Sequence, residues 1–173
     1  MLGLALLAIA SGYVMLRFEG LLSSVFILAL FLPMVIAAGG NTGGQASTMV
    51  IRAMALGEVG LGDVFRVAWK ELRLGLLLGS FLGLALAGII FLVLPFFRPP
   101  MPGGMGFGIF GLAVATAMAA QVTTSTLIGS LLPIFARSVK LDPAVIAAPA
   151  VTTVVDVTGM VIYFTVARIV LGV

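Results

Sequence analysis

Residues 141–173, LDPAVIAAPAVTTVVDVTGMVIYFTVARIVLGV, form an apolar run with one carboxylate, Asp156, near its middle. A helix needs about 20 predominantly apolar residues to cross the hydrocarbon of a bilayer, so this run reads as a membrane span. An ionisable side chain at the centre of a span costs about 2.5–3.5 kcal/mol even on the lenient insertion scale. Such a group persists where it faces protein or water rather than lipid, which makes Asp156 a candidate functional residue. The plainer alternative is that Asp156 hydrogen-bonds Thr or Asn groups of another helix and only holds the bundle together. The other five acids, Glu19, Glu58, Asp63, Glu71 and Asp142, lie at the ends of apolar runs or between them.

Around Asp156 the pattern is small or polar. Ala148, Thr152, Asp156, Gly159 and Tyr163 recur at helical spacing and fall on one stripe. Pro149 has no N–H, so the carbonyl of Val145 loses its intrahelical donor. A free carbonyl at membrane depth is tolerated only where protein or a wet cavity covers it.

Composition narrows the class. The chain has 173 residues, 62% hydrophobic and 9% charged. Soluble domains carry about 25% charged residues, so this is an all-α integral membrane protein with little outside the lipid. The net charge of +3 comes from nine Lys and Arg scattered singly, without the basic cluster that a nucleic-acid partner requires. With no Cys and no His, thiolate or imidazole metal sites and triad or thiol nucleophiles are excluded. Any metal must be held by oxygen, which suits Mg²⁺, Ca²⁺ or Mn²⁺. No second catalytic group accompanies Asp156 at helical spacing, so no catalytic residue is assigned and the chain is not read as an enzyme.

Five spans are expected, at about 1–17, 21–56 with a break near 39–45, 71–97, 106–136 and 142–171. The first looks short at its amino end, as if the natural protein continues upstream. The second carries Pro33 and runs into GGNTGGQAST (39–48), where an interrupted helix can turn backbone groups toward a pathway. Gly40 and Gly44 also form a GxxxG pair suited to close packing. The segment 57–73 is amphipathic, with Asp63 placed to cap an interfacial helix and Trp69 at headgroup level. Gly75, Gly79, Gly83 and Gly88 are packing positions in the third span, and 98–106 reads as a turn. Gln121, Thr124 and Ser125 need partners inside the bundle, and Asp142 with Pro143 starts the last helix. The second and fourth loops hold Arg52, Arg66, Lys70, Arg73, Arg137 and Lys140, against Arg17, Arg98 and Arg168 on the other side. By the positive-inside rule the N-terminus is cytoplasmic and the C-terminus outside, in a cell inner (plasma) membrane.

Two stretches carry a resemblance. GGNTGGQASTMVIRAMALGE (39–58) and DPAVIAAPAVTTVVDVTGMVIYF (142–164) resemble the two signature regions of MgtE-type magnesium channels, and WKELRLG (69–75) fits as well. The resemblance implies a homodimer whose second and fifth spans line a pore on the two-fold axis. It identifies Asp156 with the family's pore aspartate, and Asn41, Gly43 and Gln45 with its second-helix motif. The family's acidic amino-terminal region and CBS pair, which sense Mg²⁺, are not in this sequence, so those regulatory domains are expected as partners in a full-length protein.

The reading that follows is a magnesium channel in which paired Asp156 carboxylates hold a hydrated Mg²⁺ as it moves inward. Ala148, Thr152 and Gly159 join Asn41, Gly43 and Gln45 as pore-lining candidates, and Mn²⁺ or Ca²⁺ are further ions able to bind. Two facing carboxylates repel unless a divalent cation lies between them. Two other readings compete: a proton-coupled divalent-cation transporter using Asp156 as a relay, and a non-conducting membrane subunit docking through its glycine faces.

Overall fold

With no water to bond exposed peptide groups, an apolar run in lipid satisfies its backbone within its own helix. The computed structural model describes residues 2–97 and 105–172, and their side chains except those of 2–8 and 146–148. Its helices are α1 (Leu2–Arg17), α2 (Glu19–Ser24), α3 (Leu28–Ala55), α4 (Val64–Phe97), α5 (Phe107–Ser138) and α6 (Pro143–Leu171), with a 3-10 turn at Leu61–Asp63. No strand occurs among the described residues. Among the described residues three stretches, Leu61–Phe97, Phe107–Ser138 and Pro149–Leu171, suffice by length and composition to cross a membrane.

The termini of the long helices use local chemistry. Asp142 caps α6 by accepting the N–H of Ala144 at 2.8 Å, with Pro143 opening the first turn, as expected. Just past the end of α3, Gly57 has a φ of +75° that lets the Glu58 N–H reach back to the Ala53 carbonyl at 2.9 Å. The Arg137 guanidinium donates to the Met54 carbonyl at 3.4 Å, placing positive charge at that helix end.

Three expectations are corrected. The break near 39–45 is absent, because α3 runs unbroken through GGNTGGQ and Pro33 is absorbed in its second turn. Thr42 bonds the carbonyl of Ala38 at 2.9 Å and Thr48 that of Gly44 at 2.9 Å, so the hydroxyls of this segment find partners within the helix itself. The interruption lies instead at 25–27, between α2 and α3. Next, 57–73 is no separate interfacial helix, since α4 continues from Val64 to Phe97. Asp63 accepts the Gly60 N–H at 2.9 Å and closes the 3-10 turn rather than capping the following helix. Finally, Gly88 has no atom near enough to meet an added Cβ and is not a packing position. The turn expected at 98–106 lies outside the described residues apart from Met105 and Gly106.

α5 is the centre. It packs against α3, α4 and α6, while α1 packs on α6. Its neighbours are held by small residues. A Cβ at Gly75 would strike the Thr126 hydroxyl, and one at Gly79 would come within 2.7 Å of the Ala119 carbonyl. Gly83 lies equally close to the backbone of Ala115. Spaced by four, these glycines form a groove into which α5 settles, the packing mode of helices that lipid does not drive together. Thr126 adds a bond to the Glu71 carbonyl at 3.3 Å. The paired residues show α3 and α5 running in one direction and α4 and α6 in the other.

Packing changes character along the bundle. At one end lies an aromatic and aliphatic core containing Val25, Leu28, Phe31, Phe110, Tyr163 and Phe164. There the Tyr163 hydroxyl donates to the Leu28 carbonyl at 2.8 Å, and Phe18 stacks on Phe164 at 5.0 Å. At the other end Val50, Met54, Val67 and Ile134 form a smaller cluster. Between them lies a layer of glycine and small polar side chains, including Gly39, Gly43, Gln121, Ser125 and Gly129, all buried.

Overfilling a packed interior costs about 1–3 kcal/mol. Gly79→Leu is expected to lower stability by at least that much, whereas Gly88→Leu stays within about 0.5 kcal/mol of the parent. Unfolding of the purified variants in mixed detergent micelles measures the difference; equal stability of the two variants would contradict the glycine groove.

Candidate ion site

On α6 the buried row Val151, Val155, Gly159, Tyr163, Ala167 and Leu171 steps by four and faces the bundle. Asp156, the residue after Val155, therefore sits at the rim of that contact, half-buried. On α3 the buried row Gly39, Thr42, Gly43, Ala46 and Val50 faces the protein, and Gly40, Asn41, Gly44, Gln45 and Thr48 take the other side. The two rims meet: a Cβ at Gly40 would lie 3.9 Å from Asp156 Oδ1. That is ordinary contact distance, so Gly40 and the Asp156 carboxylate are direct neighbours across the two helices. Beyond Gly40 an open cavity of about 500 Å³ is lined by Gly40, Asn41, Gly44, Gln45, Thr48 and Met49.

The candidates thus divide. Asn41 and Gln45 are exposed on the cavity, and Asp156 stands beside Gly40 at its edge. Thr152, one turn before Asp156, is exposed. Gly43 is buried, and an added Cβ would come within 2.9 Å of the Ser125 carbonyl and 3.3 Å of Val155. Gly159 is buried against the amide of Gln121. The side chain of Ala148 lies outside the described residues. The stripe is open at Thr152 and closed at Gly159 and Tyr163, which meet the Gln121 amide of α5 and the Leu28 carbonyl of α3.

The chemistry at the rim is oxygen chemistry. Among the described residues no three or more of His, Cys, Asp and Glu gather as a metal-holding group. A cation beside Asp156 would meet one carboxylate per chain, and Asn41 and Gln45 line the cavity that Gly40 borders. Few fixed ligands suit an ion that keeps most of its water.

The profile of the MgtE family, described as "Divalent cation transporter", matches residues 32–166, from α3 into α6. The chain belongs to the MgtE family. It is 35% identical over 173 residues to a protein named Magnesium transporter MgtE from Thermus thermophilus, covering 97% of this chain and 35% of that protein. It is 30% identical over 166 residues to a protein of the same name from Bacillus subtilis, covering 95% of this chain and 34% of that one. The chain thus spans about a third of the length of the curated relatives it matches. Every candidate residue, from Asn41 to Gly159, falls inside the matched region.

Two site features escaped the sequence reading. The close contact between α3 and α5 uses Gly39, Gly43 and Gly129, with the backbone of Gly43 against Gly129, rather than the Gly40–Gly44 pair. Gly44 has open space around it. Sequence shows that Gln121 needs a partner, but the acceptor, the Val155 carbonyl at 3.0 Å, lies on another helix and leaves no trace in spacing.

The chain has no cysteine, so single cysteines report accessibility without background. Asn41→Cys, Gln45→Cys and Thr152→Cys are expected to react with a membrane-impermeant thiol reagent in liposomes. Leu84→Cys, on the apolar outer side of α4 where Leu84 is 72% exposed, is expected not to react. Equal protection of all four would place the α3–α6 rim in lipid.

Proposed function

We propose that this chain is the ion-conducting membrane part of a magnesium channel, with Asp156 as the residue that holds the ion. The observation that carries the proposal is the meeting of Asp156 with Gly40, which lines an open cavity together with Asn41, Gln45 and Thr48. A carboxylate at membrane depth is costly unless it faces protein or water, and this one lies at a rim rather than inside the bundle. In this reading all five expected spans cross the membrane, and two copies set their α3–α6 rims face to face across a two-fold axis. The N-terminus is cytoplasmic and the C-terminus outside.

The two Asp156 carboxylates then share one Mg²⁺ through its water shell. Mg²⁺ demands octahedral geometry at about 2.0–2.1 Å and sheds water reluctantly, so outer-shell contacts from carboxylate, amide and hydroxyl oxygens are the economical arrangement. Thr152, one turn away, contributes to the wall of the path. Inward movement needs no coupled reaction: about 2.3 kcal/mol per charge per 100 mV gives about 4.6 kcal/mol for a divalent ion. Mn²⁺ and Ca²⁺ meet the same oxygens and are the competing ions to compare. The magnesium transport named for the relatives supports the choice of cargo.

Asp156→Ala is expected to abolish Mg²⁺ uptake into liposomes while leaving the protein folded, and Asp156→Asn to fail almost as badly, since charge rather than size holds the ion. Uptake at the wild-type rate in either variant would sink the assignment. Thr152→Leu is expected to block uptake by bulk. Uptake that follows the membrane voltage and ignores an imposed pH gradient separates a channel from proton-coupled exchange.

A further inference from the structure

Gln121 is fully buried at the middle of α5, an amide in the interior of a membrane bundle. Its Nε2 donates to the Val155 carbonyl of α6 at 3.0 Å. The same amide occupies a notch between two helices. A Cβ at Gly39 of α3 or at Gly159 of α6 would collide with Nε2, and one at Gly159 would also lie 2.9 Å from Cδ. Gly39 immediately precedes Gly40, and Val155 immediately precedes Asp156. One side chain therefore touches the residue before each of the two that meet at the rim.

The amide is an expensive choice for mere filling. Its Oε1 is buried without a hydrogen-bond partner among the described residues, as is the Ser125 hydroxyl one turn along the same helix. A methionine or leucine would fill similar space without leaving a buried acceptor unsatisfied. What an apolar side chain lacks is direction: the Nε2–H bond selects one rotation and one height of α6, and the two glycines admit the amide at one position only. Polar groups buried at such cost are well attested as devices that set register between helices.

We infer that Gln121 is a positioning residue for the ion site, its amide setting α3 against α6 and thereby the placement of Asp156 beside Gly40. The inference rests on the reading of Asp156 as the ion-holding residue. An interhelical hydrogen bond in a membrane protein contributes only modestly to stability. Loss of the amide is therefore expected to leave a folded protein with a misplaced site, not an unfolded one.

The test uses the whole protein in liposomes loaded with a Mg²⁺-sensitive dye, with uptake of Mg²⁺ and of Ca²⁺ measured for each variant. Gln121→Met keeps length and loses the donor. It is expected to remain monodisperse, to take up Mg²⁺ at least about tenfold more slowly, and to lose preference for Mg²⁺ over Ca²⁺, because a site must be held to within about 0.5 Å to keep its selectivity. Wild-type rate and preference in Gln121→Met, with Asp156→Ala inactive, would overturn the role of Gln121 and leave the ion site standing. Wild-type uptake in Asp156→Ala would overturn the ion site itself, and this role with it. Should Gln121→Met fail to fold, the notch decides. Gly159→Ala pushes on the amide and is expected to impair uptake, and adding Gln121→Ala is expected to bring that variant back to the level of Gln121→Ala alone. Losses that simply add would overturn the inference.

Discussion

The backbone of Gly43 against Gly129 is the contact on which the rest of the bundle depends. Lipid is as apolar as leucine, so no hydrophobic force gathers helices inside a membrane, and association relies on close van der Waals approach and interhelical hydrogen bonds. α5 achieves that approach on three sides. Glycines of α3 meet it at Gln121, Ser125 and Gly129, glycines of α4 meet it at Ala115, Ala119 and Thr123, and Gly159 of α6 meets it at Gln121. With α5 gripped in this way, the outer side of α3 and the adjoining rim of α6 stay uncovered, as does the apolar outer side of α4.

That division sets the chemistry. Because α3 stays helical through GGNTGGQ, its carbonyls remain engaged in the helix and the groups it presents to the cavity are side chains, Asn41 and Gln45. An unwound segment would instead have offered bare carbonyls, the means by which an ion is stripped of water. An intact helix with one carboxylate beside a glycine suits an ion that is held by charge while keeping its hydration. The two glycines at 39 and 40 face different neighbours: Gly39 admits the Gln121 amide, and Gly40 lies beside Asp156.

Much of this was legible in the sequence, for a simple reason. A bilayer imposes length and apolarity on whatever crosses it, so helical runs, the cost of Asp156, the start of α6 at Asp142–Pro143, and the small-residue groove of α4 follow from residue types and spacing alone. The two signature stretches carried the family, which the comparisons bear out. What spacing could not give was which neighbour each side meets. Gly39 and Gly40 are one residue apart and indistinguishable by composition, yet one packs against α5 and the other faces Asp156, because the crossing of α3 over α5 decides which azimuth is covered. Likewise Thr152, Gly159 and Tyr163 share a stripe, yet Thr152 is exposed while Gly159 and Tyr163 are buried against Gln121 and Leu28. The continuity of α3 was hidden for the same cause: glycines that weaken an isolated helix are retained inside one when a neighbouring backbone fills the space they leave. Sequence alone determined that this chain is a helical membrane protein with one costly carboxylate. Only the tertiary structure decided that the carboxylate stands at an open rim beside Gly40, since burial there depends on where three other helices pass.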